Sequence, residues 1–167
     1  MTGDELRALQ APLKAQYKEN PATAQVTIRI VGQLDPANVA CDVQSPRGSI
    51  HAGLHRAAGG DGSDACAGDM LLESLAGCAG VTLRAVATAM NIPLRSGTVT
   101  VEGDMDFRGT LGVNREIPVG FTAIRVKFQV DTDAPPEQVD KLIQLAERYC
   151  VVFQTLKSPP PITVSRR

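Results

Sequence analysis

The chain has 167 residues, and its 17 basic side chains against 18 acidic ones leave a formal net charge of −1. A chain of this length can bury a core as one domain without metal or disulfide staples, and its even charge offers no electrostatic footprint for nucleic acid or an anionic membrane. The opening "MTGDELRALQ" is polar and acidic, unlike a secretory leader, and the apolar runs read as shorter than the roughly 18 residues that span a bilayer. The expectation is a soluble cytoplasmic protein, one domain over residues 1–167.

Residues 1–20 predict a peripheral helical segment, kinked or split at Pro12, which removes a backbone donor. "AQVTIRIV" alternates Val26, Ile28 and Ile30 against Thr27 and Arg29, the period of a half-buried strand. "NVACDVQ" repeats the pattern with Val39, Cys41 and Val43, and Asp35-Pro36 marks the turn between the two. Cys41 thus reads as an inward strand residue. The glycine-rich "AAGGDGSDACAG", residues 57–68, predicts a loop and lacks the GK[ST] ending of a phosphate cradle.

A long apolar helix follows over 69–92, with Gly68 or Asp69 placed to cap it, and Leu71, Leu75, Cys78, Thr82 and Val86 on one stripe. "GTVTVEGDMDF" and "FTAIRVKFQV" predict two strands joined by the connection "RGTLGVNREIPVG". Pro135-Pro136 opens a helix through "EQVDKLIQLAERYC" with Val139, Leu142, Ile143 and Ala146 inward. "VVFQTL" adds a helical turn or two, and "PITVS" is placed to close a small sheet. This order favours an α+β fold with antiparallel sheets over a doubly wound one.

Four cysteines, Cys41, Cys66, Cys78 and Cys150, would sit in a reducing compartment. Burial, metal ligation and redox chemistry are then the alternatives to structural disulfides. No CxxC pair occurs, which argues against a zinc ribbon. His51 and His55 are four apart, yet the glycines and proline flanking them speak against a helical metal face. No metal and no cofactor is expected.

Two fragments give Cys78 a sharper reading than packing. "LLESLAGCAGVTL" resembles the central helix of the OsmC/Ohr family of thiol peroxidases around its reactive cysteine, and "YCVVFQTL" resembles that family's second cysteine motif. The likeness extends from about Ala24 to Val164 and points to the OsmC branch. It implies an OsmC-like fold, antiparallel sheets around a long central helix, in an intertwined homodimer. It further implies an oxidative-stress enzyme that reduces organic hydroperoxides. Cys78 would attack the O–O bond and become a sulfenic acid, Cys150 would condense with it to a disulfide, and an external dithiol, often of lipoyl type in this family, would restore both thiols. The apolar side chains of Met70, Leu71 and Leu75 favour a greasy peroxide.

A thiol becomes a nucleophile only as thiolate, and Cys78 lies too far inside its helix for that helix's dipole to act on it. The family supplies an arginine held by a carboxylate, and the resemblance carries those roles to Arg56, 22 residues before Cys78, and to Asp69, with Glu73 as a second carboxylate. Asp69 also reads as a simple helix cap. Cys66, in the glycine loop, is an alternative resolving thiol or a packed loop residue. The second motif departs from the family at Val151, where proline is usual, which puts the geometry of Cys150 in question. The alternative function is a non-catalytic protein of the same fold that binds an apolar ligand or partner at the dimer cleft.

Overall fold

A computed structural model describes residues 1–166. The fold is α+β, with five α-helices and two small sheets among the described residues. Helix α1, Gly3–Glu19, opens on a reciprocal cap in which the Thr2 hydroxyl accepts from the Glu5 N–H while the Glu5 carboxylate accepts from the Thr2 N–H. It continues through Pro12 as one helix, so that of the kink or split expected there the split does not occur.

Strands β1, Val31–Leu34, β2, Cys41–Ser45, and β3, Gly48–Gly53, form an antiparallel meander, and the short β4, Ala65–Cys66, joins β3 in parallel. The turn between β1 and β2 is held by Asp35, whose carboxylate accepts from the N–H groups of Ala37 and Asn38 at 2.7 and 2.8 Å. One expectation is corrected here, and one segment left unassigned becomes a strand. The alternating stretch 25–30 lies before β1 in no strand, with Val26 and Ile28 79% and 84% exposed, because among the described residues no strand pairs with it. The segment around His51 is β3, paired to β2 in a register that places His51 opposite Asp42.

Helix α2 runs over Ala67–Ala89, so Gly68 and Asp69 lie inside its first turn instead of capping it. Its buried stripe is Leu75, Ala79, Leu83 and Ala87, spaced by four. By length and composition alone α2 is apolar enough to cross a bilayer, contrary to the reading of the sequence, but it carries Glu73 and Arg84 and turns this stripe into the protein's own interior. Strand β5, Ser96–Met105, pairs with β6, Phe121–Asp131, and a single turn, α3 at Phe107–Thr110, interrupts their connection. Helix α4, Pro136–Tyr149, is followed at once by α5, Val151–Lys157. The stretch "PITVS" forms no strand.

The chain divides into two compact units. The first comprises Met1–Glu19, Ser74–Thr100 and the chain from Val126 on. Its core is Leu83, Ala87, Ile92, Leu142 and Ala146, ringed by Val86, Met90, Phe128, Val130 and Ile143. The second comprises Asn20–Glu73 and Val101–Arg125. There the imidazole of His55 stacks on Phe107 at 4.8 Å, and Gly103 admits the Phe121 ring where a β-carbon would stand only 2.5 Å from it.

Candidate functional site

Residues 142 to 157 give the site its shape. The period-four apolar face of α4 buries Leu142 and Ala146 fully, and the next position on that face is Cys150, 1% exposed. Cys150 leaves helical geometry at φ −74° and ψ 108°, closing α4 through its N–H to Ala146 O at 3.0 Å and opening α5 through its carbonyl, which accepts from the Gln154 N–H at 2.9 Å. The Gln154 side chain returns to Glu147 O at 2.8 Å and fixes the break between the helices.

Helix starts leave backbone N–H groups without intrahelical partners, and no side-chain oxygen caps α5. Two sulfurs take that place. The Val151 and Val152 N–H groups donate to the Cys78 sulfur, and the Val152 and Phe153 N–H groups donate to the Cys150 sulfur. Thr82, one turn beyond Cys78 on α2, donates its hydroxyl to the same Cys78 sulfur, and the Cys150 S–H donates to it as well. All these groups belong to the first unit.

The two thiols are thereby driven apart. Burial is the largest influence on Cys78 and pushes its thiol up, but the four donors Val152, Cys150, Val151 and Thr82 together outweigh it and hold the thiol below the ordinary cysteine range. Burial also leads at Cys150. The N–H groups of Phe153 and Val152 oppose it, while the neighbouring Cys78 favours keeping the proton on Cys150, and that thiol is held above the ordinary range. One sulfur is built to carry the negative charge and the other to keep its proton. Beside Cys150 opens a cavity of about 460 Å³ lined by Tyr149, Val151, Gln154, Ser158 and Pro160, with the Arg148 guanidinium over the Tyr149 ring at 5.7 Å.

The remaining residues named from the sequence belong to the second unit. Arg56 begins a short 3₁₀ turn, Arg56–Ala58, and lies against Gly62, where a β-carbon would meet its Nε at 2.1 Å. Asp69 is exposed in the first turn of α2. The Cys66 sulfur gathers with Met105 and Phe121 over Gly68, all within 3.7 Å of where a β-carbon on that glycine would stand. The structure thus joins Cys78 to Cys150 and to donors absent from the sequence reading, the amides of α5 and the Thr82 hydroxyl. Thr82 was visible on the Cys78 stripe, whereas an amide gives no signal because every residue but proline carries one. Val151, where the second motif departs from proline, keeps such an amide. Among the described residues no group of three or more His, Cys, Asp or Glu side chains is placed to hold a metal ion.

A family model described as OsmC-like protein matches residues 60–165. No curated protein matches the chain. Among solved structures, an OsmC-like protein from Mycoplasma pneumoniae superposes with a TM-score of 0.67 at 17% identity, covering 81% of this chain and 90% of that one. The organic hydroperoxide resistance protein OsmC from Legionella pneumophila gives 0.62 at 16% identity over 80% and 93% of the two chains. The organic hydroperoxide resistance protein OhrB of Bacillus subtilis gives 0.53 at 20% identity, again over 80% and 93%. At these identities the likeness is one of fold.

Proposed function

The chain belongs to the OsmC-like protein family, and from that premise we propose that it is a thiol peroxidase for organic hydroperoxides serving oxidative-stress defence in the cytoplasm. The observation that carries this reading is the hydrogen-bonded pair of Cys78 and Cys150 with their opposed proton affinities. The Cys78 thiolate attacks one oxygen of the peroxide O–O bond; the bond breaks, the alkoxide takes a proton from water and leaves as alcohol, and sulfur is oxidised to sulfenic acid. Cys150 then attacks the sulfenic sulfur, its proton leaves with the hydroxyl as water, and a Cys78–Cys150 disulfide remains. An external dithiol of lipoyl type returns both thiols by two exchanges and is itself oxidised to a disulfide.

The apolar faces of Tyr149, Val151 and Pro160 along the cavity beside Cys150 support an organic peroxide over hydrogen peroxide. Arg56, with Asp69, enters this proposal in the role the family likeness implies, the cationic partner of the thiolate; Cys66 enters as the alternative resolving thiol. The active form is proposed as a homodimer, supported by the apolar side chains of Val26, Ile28, Leu34, Val39 and Val81 left exposed on the single chain.

The test is to add cumene hydroperoxide to the reduced protein and count free thiols. The expected result is rapid loss of two thiols in the wild type and none of this rapid loss in Cys78→Ser. No loss in the wild type, or equal loss in the variant, discards the enzyme and leaves the non-catalytic alternative.

A further inference from the structure

Arg84, in the last turns of α2, is a cation that the first unit holds in place without a counter-charge. Its Nη1 donates to the Leu94 carbonyl at 3.0 Å, which ties the guanidinium to the segment between α2 and β5. That bond uses one of five N–H donors and neutralises none of the charge, and among the described residues no carboxylate pairs with Arg84. Other arginines of the unit differ: Arg7 is paired with Asp4 at 2.7 Å, and Arg95 with Asp131 and Asp133 at 2.5 Å each.

Beside Arg84 opens a cavity of about 290 Å³ between α2 and the start of β5. Leu83, 4% exposed, carries its wall down to the core, and Leu94 and Val99 continue the apolar surface. Gly80, one turn before Arg84, keeps the space open. A β-carbon there would already touch Val99 at 3.8 Å, and a longer side chain would fill the cavity. The Ser96 hydroxyl adds a polar group to the lining, whereas Asp131 and Asp133 do not border it.

A guanidinium matches a carboxylate by a bidentate pair, the apolar walls match hydrocarbon, and a volume at the lower end of ligand cavities, about 300–1,000 Å³, limits that hydrocarbon to a few carbons. We propose that the cavity binds a short aliphatic monocarboxylate, with its carboxylate on Arg84 and its hydrocarbon against Leu83, Leu94 and Val99. Gly80 and Arg84 follow Cys78 by two and six residues, roughly 200° and 240° around the helix. The ligand therefore sits on the side of α2 turned away from the thiol, and the site does not depend on what Cys78 does.

The experiment titrates the full-length chain with sodium pentanoate by calorimetry. The wild type is expected to bind it saturably. Arg84→Met, which keeps an apolar stem and loses the charge, is expected to bind it roughly tenfold or more weakly, the scale of a hydrogen bond to a charged group. Gly80→Leu fills the space with a better helix former and should abolish binding. Should these variants fail to fold, the wild type decides: isotope-labelled pentanoate shows nuclear Overhauser contacts to the methyl groups of Leu83, Leu94 and Val99, and their absence overturns the proposal. Failure of the wild type to bind overturns it as well. So does equal affinity for 1-pentanol, which leaves the guanidinium without a role, or for inorganic phosphate, which leaves the apolar walls without one. A dimer that dissociates in Arg84→Met while pentanoate stays unbound gives the guanidinium to a second copy of the chain and overturns the proposal too. Cys78→Ser is expected to bind as the wild type does, and loss of binding there contradicts a site apart from the thiol.

Discussion

Cys78 on α2 and Cys150 between α4 and α5 share a hydrogen bond in which Cys150 is the donor and the Cys78 sulfur the acceptor. A free thiol titrates near 8.5, and two independent cysteines would alkylate with similar pH profiles. Here each thiol shifts the other's proton affinity, Cys150 lowering that of Cys78 and Cys78 raising that of Cys150. Cys78 is expected to react at lower pH than an ordinary thiol, losing reactivity as pH falls through its lowered midpoint. Cys150 is expected to require pH above the ordinary range. Site-resolved iodoacetamide labelling across pH, read by mass spectrometry, checks the order; simultaneous labelling of both would show that the pairing does not polarise them.

The Thr82 hydroxyl is a side-chain donor to Cys78 beside its partner thiol. Thr82→Val preserves the branched shape and the helix while deleting the donor. The expected effect is a several-fold drop in Cys78 alkylation at neutral pH with little change in melting temperature, since a typical hydrogen bond contributes about 0.5–1.5 kcal/mol. Thr82→Ser retains the wild-type rate. An unchanged rate in Thr82→Val would remove the hydroxyl from the account.

Away from the thiols, His51 on β3 donates from Nδ1 to Asp42 on β2 at 2.8 Å, with Asp64 3.8 Å from Nε2. The Asp42 hydrogen bond raises its proton affinity most, partial burial opposes, and the charges of Asp64, Asp42 and Asp35 add to the rise. The imidazolium therefore contributes stability that is complete below the ordinary His midpoint of about 6.5 and disappears as pH climbs through the raised one. NMR titration is expected to place His51 above 6.5 and Asp42→Asn to bring it back down. A His51 midpoint at or below 6.5 in the wild type contradicts the pairing.

Leu142 is 0% exposed in the core of the first unit, against Leu83, Ala87 and Ala146. Leu142→Ala should cost about 2–5 kcal/mol through lost burial and the cavity left behind. For a chain of this size that is a fall of roughly 4 °C or more in melting temperature, measurable by calorimetry. A neutral result would mean that the α2–α4 packing beneath Cys150 is not what holds the site together.

The elements whose apolar face is buried by their own chain were legible before any coordinates. The inward positions Leu142 and Ala146 of α4, the alternation of β6 and the length of α2 all followed from periodicity. Periodicity misled at Val26, Ile28 and Ile30, because it reports an apolar face without saying that a strand of the same chain lies beside it. Strand β3 was missed since glycine at both ends and a histidine inside hide its alternation; its register with β2 supplies the order that its composition lacks. At the site, both cysteines could be named from their motifs, but the chemistry that separates them could not. The motifs name a cation for Cys78, whereas its amide donors lie more than seventy residues downstream, at the break between α4 and α5, where no motif marks them.

The central claim, that Cys78 is oxidised first and Cys150 resolves it, is tested most directly by treating reduced protein with one equivalent of cumene hydroperoxide and mapping the products by peptide mass spectrometry. The account predicts a Cys78–Cys150 disulfide in the wild type and, in Cys150→Ser, a sulfenic acid trapped by dimedone on Cys78. A wild-type protein that keeps both thiols, or one that forms its disulfide through Cys66, would contradict it.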